Sequence, residues 1–178
     1  MYSDVIMAGF GGQGVMLIGK ILAYCGMIED KHVVWIPSYG PEMRGGTANC
    51  TIVVSDSPIA SPIIANPNAI VVLNKPSLDK FEPMVRKNGL IIINETLIDR
   101  KSNRDDVRCI YTPGNKIAME LGNAKATNMV MFGTYIAATG IVGKDTAIKG
   151  IEESLKSKAK LIPLNIQAFE KGYELGLN

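Results

Sequence analysis

At 178 residues, with 47% hydrophobic and 20% charged side chains, the chain suffices for one well-filled core and reads as a single domain over 1–178. Lys and Arg number 19 against 17 Asp and Glu, and aromatics make up 6%, which argues against a basic nucleic-acid face, an acidic tail or a stacking platform for single-stranded bases. No apolar run is long enough to cross a bilayer and no signal-peptide pattern opens the chain, so the expectation is a cytoplasmic protein with no membrane or nucleic-acid partner.

In chain order, Asp4 to Ala8 predicts a short buried strand, followed at once by Gly9-Phe10-Gly11-Gly12-Gln13-Gly14. From Val15 to about Met27 the apolar residues recur at helical spacing, through Leu17, Ile18, Ile21, Leu22 and Cys25. Gly14, Gly19 and Gly26 are poor helix formers, so this helix is expected to pack closely on the sheet. His32 to Ile36 predicts a second strand, ended by Pro37, with His32 an ordinary strand-edge residue. A loop follows from Pro37 to Gly46, with two prolines, three glycines and the charges Glu42 and Arg44.

Thr47 to Val54, rich in Thr, Ile and Val, predicts a third strand, with a turn at Ser55-Asp56-Ser57-Pro58. Ala69 to Leu73 and Gly89 to Ile93 are two more buried strands, with a short helix around Ser77 to Val85 between them. Asp99 to Asp106 is a charged connection, and Val107 to Tyr111 returns to strand. Helices are expected over about Lys116–Leu121, Asn128–Thr139, Lys144–Ser154 and Asn165–Leu175. Thr127 or Asn128 is the expected cap of the second of these, and Asp145 lies in the first turn of the third. Strand runs without polar alternation predict an α/β, Rossmann-like fold, its mostly parallel sheet covered by helices on both faces.

Gly9, Gly11 and Gly14 meet the G-x-G-x-x-G pattern between a strand and a helix, where free N–H groups of the helix N-terminus face an anion. A dinucleotide site would also need an acidic residue at the end of the second strand, and Trp35-Ile36-Pro37-Ser38 supplies none. The loop therefore predicts an anion seat rather than an NAD site; tight strand–helix packing is the plainer alternative. The second loop adds Ser38, Tyr39, Glu42, Arg44 and Gly45, with Arg44 able to clamp a phosphate or carboxylate and Glu42 able to orient it. In a parallel sheet this loop leaves the carboxyl end of the second strand, beside the glycine loop; a surface turn with a local Glu–Arg pair is the alternative. Cys25, Cys50 and Cys109 are isolated in sequence, each expected to pack as a small buried hydrophobe, and cannot by themselves assemble an iron–sulfur cluster or zinc site. No P-loop, nucleophile elbow or HExxH pattern is present, so self-sufficient catalytic machinery is not expected.

Taken together, Gly-Phe-Gly-Gly-Gln-Gly-Val at 9–15 and Ser-Tyr-Gly-Pro-Glu-Met-Arg-Gly-Gly at 38–46 resemble the gamma subunit, or gamma domain, of the 2-oxoacid:ferredoxin oxidoreductases. The resemblance continues through Asn49 to Asp56 and into Lys125-Ala126-Thr127-Asn128-Met129-Val130, so it covers nearly the whole chain. It implies a subunit of an enzyme that oxidatively decarboxylates a 2-oxoacid with coenzyme A, giving acyl-CoA and carbon dioxide and reducing ferredoxin. It also implies that thiamine diphosphate and [4Fe-4S] clusters sit on alpha, beta and ferredoxin-like delta partner chains, with no redox cofactor bound by this chain alone. The candidate binding residues are Gly9, Gly11, Gly12, Gln13, Gly14, Ser38, Tyr39, Glu42, Arg44, Gly45 and Asn128, with no catalytic or metal-ligating residue among them. The motifs lean toward 2-oxoglutarate-type over pyruvate-type gamma subunits. Other readings are a stand-alone Rossmann-type nucleotide-binding oxidoreductase and a ligand-sensing scaffold.

Overall fold

The computed structural model describes residues 1–38 and 47–177, apart from the side chain of Thr47. Six strands form one sheet in the order β2-β3-β1-β4-β5-β6. These are β1 (Tyr2–Phe10), β2 (His32–Ser38), β3 (Thr47–Ser55), β4 (Ala69–Val72), β5 (Leu90–Asn94) and β6 (Arg108–Thr112). The pairings β1–β4, β4–β5 and β5–β6 are parallel, whereas β3 runs antiparallel to both β1 and β2. The expectation of a mostly parallel sheet holds, but β2 is not the neighbour of β1: β3 returns between them. Phe10 pairs with Thr47 and Ser38 with Asn49, so β2 ends and β3 begins at the glycine-loop end of the sheet.

Helices cover both faces unequally. On one face lie α1 (Val15–Ile28), α3 (Gly114–Glu120), α4 (Thr127–Thr139), α5 (Lys144–Leu155) and α6 (Ile162–Gly176), around Val5, Met7, Ile52 and Ile92. The other carries α2 (Lys75–Phe81) and a following 3-10 turn, packed on Ile6, Ile70, Ile91 and Ile93. Alternation of Cβ direction explains the division, since odd residues of β1 feed one core and even residues the other. The expected close packing of α1 is present: a Cβ on Gly19 would lie 2.5 Å from Cys50 Sγ, and one on Gly26 2.6 Å from Val33 Cγ2. Cys25 and Cys50 are buried as expected, and Cys109 is half-buried.

Two local expectations are corrected. β2 does not stop before Pro37 but continues to Ser38, because it is the edge strand and the proline's missing N–H costs no ladder bond there. Neither Thr127 nor Asn128 caps α4, whose N-cap is Ala126. Thr127 Oγ1 donates back to Ala124 O at 2.8 Å, and Asn128 reaches a distant loop instead.

The charged connection at 99–106 is pinned rather than free. Glu82, 3% exposed, accepts hydrogen bonds from Arg100 Nη2 (2.9 Å), Ser102 Oγ (2.6 Å) and the Asn103 N–H (2.9 Å). Burial pushes the Glu82 carboxyl up, but these donors and the Arg100 charge outweigh it and hold it below its usual value of 4.5. A depressed carboxylate contributes stability above its unfolded pKa and loses it as pH falls through the folded value. Glu82→Gln is therefore expected to cost about 2–3 kcal/mol at pH 7. It should also flatten the loss of stability on acidification below pH 4.5, checked by urea unfolding at pH 7 and at pH 3.5.

Candidate functional site

The carboxyl ends of the parallel strands and the N-terminus of α1 meet at the glycine loop. Gly9, next to last in β1, is buried among Gln13, Leu73 and Val15; a Cβ there would lie 2.6 Å from Gln13 Oε1. The loop folds back on itself: Gln13 N–H donates to Phe10 O (3.1 Å), and Phe10 N–H donates to Gln13 Oε1 (2.6 Å). The Gln13 oxygen thus shapes the loop. Gly14 is the N-cap of α1 with φ +78°, left-handed geometry that favours glycine, and no side chain caps the helix. Its carbonyl accepts from the Leu17 N–H (3.2 Å) and from Asn128 Nδ2 (3.2 Å). A Cβ on Gly14 would overlap that same Asn128 amide, so Gly14 and Asn128 are fitted to each other. The N–H groups of Val15 and Met16 have no acceptor among the described residues, which leaves the positive end of α1 open.

Sequence reasoning missed the floor of this site. Asn74 follows β4, Asn94 ends β5 and Asn115 follows β6, so the parallel strands deliver amides side by side. Asn94 is fully buried and donates to Leu73 O (3.2 Å) and Asn115 Oδ1 (2.8 Å). Asn74 caps α2 by accepting from Ser77 N–H at 2.9 Å, and its Nδ2 faces Gln13 Oε1 at 3.5 Å. The available signal was an Asn at or within three residues of the end of each of β4, β5 and β6.

Three clefts meet at Gly12. One of about 160 Å³ lies over Gln13, Leu73, Asn115 and Thr127, with Lys125 on its rim. A second, of about 300 Å³, lies on the α1 side between Gly14, Asn128, Lys125 and Lys158. The third, of about 270 Å³, is apolar, lined by Phe10, Val15, Met16, Leu17 and Ala48. Asn123 Oδ1 accepts from the Lys125 N–H (3.0 Å) and caps the turn that presents this lysine. Among the described residues no carboxylate lies within 4 Å of Lys125 or Lys158 Nζ. An open helix N-terminus flanked by two cations without carboxylate partners is the electrostatic signature of an anion seat. Lys158, one lysine in a Lys-Ser-Lys-Ala-Lys run, was not singled out from the sequence.

Of the predicted site residues, Gly9, Gly11, Gly12, Gln13, Gly14 and Asn128 come together here. Ser38 is exposed at the end of β2, two strands away from β1 at the same end of the sheet. Tyr39, Glu42, Arg44 and Gly45 lie outside the described residues. Burial raises the Cys50 thiol to about 12; burial, with the nearby Glu29 charge, does the same for Cys25. Neither is a nucleophile at neutral pH. Among the described residues no three His, Cys, Asp or Glu side chains gather to hold a metal ion, so an iron–sulfur cluster does not fit them. No helix of the described residues is long and apolar enough to cross a membrane. Among the described residues, the three clefts offer an open helix N-terminus and two lysines, and no carboxylate, histidine or cysteine lines them.

Residues 4–175 match the family model described as pyruvate ferredoxin/flavodoxin oxidoreductase. The chain is 38% identical over 170 residues to ketoisovalerate oxidoreductase subunit VorA of Methanothermobacter marburgensis, covering 94% of this chain and 35% of that protein. It thus spans about a third of the length of that relative. It is 34% identical over 178 residues to 2-oxoglutarate synthase subunit KorC of Methanocaldococcus jannaschii, covering 98% of this chain and 94% of that subunit. The crystal structure of the gamma subunit of keto/oxoacid ferredoxin oxidoreductase from Geobacter sulfurreducens superimposes with a TM-score of 0.85 at 28% identity, covering 98% of both chains.

Proposed function

Because the chain belongs to the pyruvate ferredoxin/flavodoxin oxidoreductase family, we propose that it is the gamma subunit of a multisubunit 2-oxoacid:ferredoxin oxidoreductase. In this reading the assembled enzyme converts a 2-oxoacid and coenzyme A to acyl-CoA, carbon dioxide and a proton, and two electrons pass to ferredoxin. Thiamine diphosphate and [4Fe-4S] clusters on the alpha, beta and delta chains supply the carbanion and electron-transfer chemistry. This chain's part is to receive the pyrophosphate of coenzyme A on the open N-terminus of α1, beside Lys125, and to hold it in place over the amide floor. The observation that carries the reading is that seat: positive, uncapped and without catalytic groups, as expected of a subunit that positions a co-substrate for chemistry done elsewhere. The relatives' names divide among ketoisovalerate, 2-oxoglutarate and pyruvate. We place 2-oxoglutarate first for the near full-length match to KorC.

The test is an anaerobic affinity pull-down of this chain from its native cells, with coenzyme-A-dependent viologen reduction assayed on a panel of 2-oxoacids. Co-purifying iron–sulfur and thiamine-diphosphate subunits with activity are expected. A lone, inactive chain would overturn the reading in favour of a nucleotide-binding oxidoreductase or a sensor. Arg44→Ala in the assembled enzyme should raise the apparent KM for coenzyme A about tenfold, the scale of one lost charge-assisted contact. The apolar cleft at Phe10, Val15 and Met16 favours a second reading, in which the loops seat a partner subunit. Arg44→Ala would then weaken assembly, seen by size-exclusion chromatography, and leave that KM unchanged.

A further inference from the structure

The two edges of the sheet are guarded differently. β6 carries an exposed Arg108, and the connection before it folds back on the strand: the Ser102 N–H donates to Tyr111 Oη (3.0 Å), and Lys101 Nζ stands 3.7 Å from the centre of that ring. β2, at the other edge, has no Asp, Glu, Lys or Arg, and its register with β3 runs without a bulge from His32–Ser55 to Ser38–Asn49. Charged side chains and bulges are what keep a natural edge from pairing further. The strand's proline fixes which groups it offers. Pro37 pairs with Cys50 but has no N–H, so that pair is of the non-hydrogen-bonded kind. Alternation then turns the N–H groups of Val33 and Trp35 away from β3, to the side where no strand of the described residues meets them.

The helix beside this edge is nearly as bare of charge. Lys20 is the one charged residue of α1, and its Nζ lies 5.2 Å from the centre of the Trp35 ring, which sets that flank of the helix over β2. Met16, Ala23 and Met27 share the flank at helical spacing, and Met27 is 60% exposed. The opposite flank is taken by α5, where a Cβ on Gly150 would lie 2.5 Å from Cys25 Sγ. On the other face of β2, Ile36 is 40% exposed, and the core beneath α2 takes no residue from β2 or β3.

We propose that the β2 edge is the interface with a second copy of this chain, joined antiparallel across a two-fold axis at Val34. In that register Val33 and Trp35 of each copy exchange backbone hydrogen bonds with Trp35 and Val33 of the other, so all four outward N–H groups gain acceptors. A β-branched side chain then stands opposite an aromatic one, a favourable cross-strand pair, and no charge on either strand opposes another. An axis at Trp35 would instead set Pro37 opposite Val33, with a ring carbon where the bonding hydrogen belongs, so the proline selects the register. A strand edge alone buries less than the roughly 1,200 Å² of a stable dimer, and the apolar flank of α1 supplies the remainder. The pairing uses no group of the anion seat, so it stands or falls apart from the subunit proposal.

The test is sedimentation velocity on the full chain, with amide hydrogen exchange read at β2. A concentration-dependent dimer is expected, in which the Val33 and Trp35 amides exchange about tenfold or more slowly than in dilute, monomeric chain. Val34→Lys sets two like charges face to face on the axis and should leave a monomer with wild-type circular dichroism, and Val34→Glu should do the same. An equal mixture of the two variants should dimerise again, which chains that had merely failed to fold could not do. A wild-type chain still monomeric at about 0.1 mM, a Val34→Lys chain that dimerises, a mixture that stays monomeric, or a dimer whose Val33 and Trp35 amides exchange as in the monomer would each overturn the assignment. An active oxidoreductase complex whose free chain stays monomeric sinks this pairing alone. A dimer that pulls down no oxidoreductase chains sinks the subunit proposal alone.

Discussion

Gly172→Ala is expected to lower the unfolding free energy by about 3 kcal/mol or more, beyond what a single added methyl normally costs in a core. The reason is the seam between α4 and α6. A Cβ on Gly172 would overlap the Val130 carbonyl, and one on Gly133 would overlap Phe169 O and lie 2.7 Å from Tyr173 N. The obstacles are backbone, which cannot rotate away as a side chain would, so the helices must separate. Separation would strip contacts from Phe132 and Phe169, whose rings stand 5.7 Å apart, and break the Thr134 Oγ1 to Gly172 O hydrogen bond. In a chain of this size the melting temperature should fall by roughly 6–12 °C in calorimetry. Gly133→Ala should behave alike, and the double variant should lose less than the sum, because one separation relieves both clashes. Gly122→Ala is the control: φ is +90° but no atom lies within 4 Å of its Cβ, so only the backbone term of about 1 kcal/mol is lost. Equal losses at Gly172 and Gly122 would show that the seam is looser than described.

Gly14→Ala is the second large effect, and it falls on function as well as stability. Here a positive φ and a direct overlap with the Asn128 amide coincide. The turn must move or Asn128 must swing away, and either opens the end of α1 that the proposal assigns to a phosphate. The expected result in the assembled enzyme is a rise of at least tenfold in the apparent KM for coenzyme A, with about 2–3 kcal/mol of stability lost by urea unfolding. Gly12→Ala separates the two contributions, since φ there is +92° and nothing lies within 4 Å of its Cβ. It should cost about 1 kcal/mol, close to what left-handed backbone alone demands. An unchanged KM in Gly14→Ala would remove the α1 N-terminus from the binding site.

How much of this was legible in the chain depended on the range of the interaction. The glycine loop and α1 were readable because strand, glycines and helix follow one another without a break. The inserted strand β3 was readable as a strand but not as antiparallel, although Thr47, Asn49 and Thr51 alternate with Ala48, Cys50 and Ile52. That alternation is the mark of a strand whose faces differ, unlike the unbroken apolar runs of β4 and β5. Asn128 was placed at the site through the motif it belongs to, yet its local role as a cap was misread. The partner it chose, Gly14 O, lies 114 residues earlier, and no window along α4 contains it. Lys158 was hidden for the opposite reason. A lysine among lysines reads as solvated surface, and only the packing of the segment between α5 and α6 sets it opposite Gly12. The connection at 99–106 was readable as charged but not as anchored, because Glu82, which holds it, is about twenty residues away.

The row of amides beneath the glycine loop has one more consequence. Asn74, Asn94, Asn115, Asn128 and Gln13 are dipoles that neither take up nor give off a proton anywhere in the range where proteins stay folded. A carboxylate floor would repel the ligand's charge at neutral pH, and a histidine floor would make its grip rise and fall with acidity. An amide floor instead holds the same polarity whatever the proton activity around it. Under the subunit proposal, this floor adds no titrating group of its own to the acid–base profile of the assembled enzyme's rate.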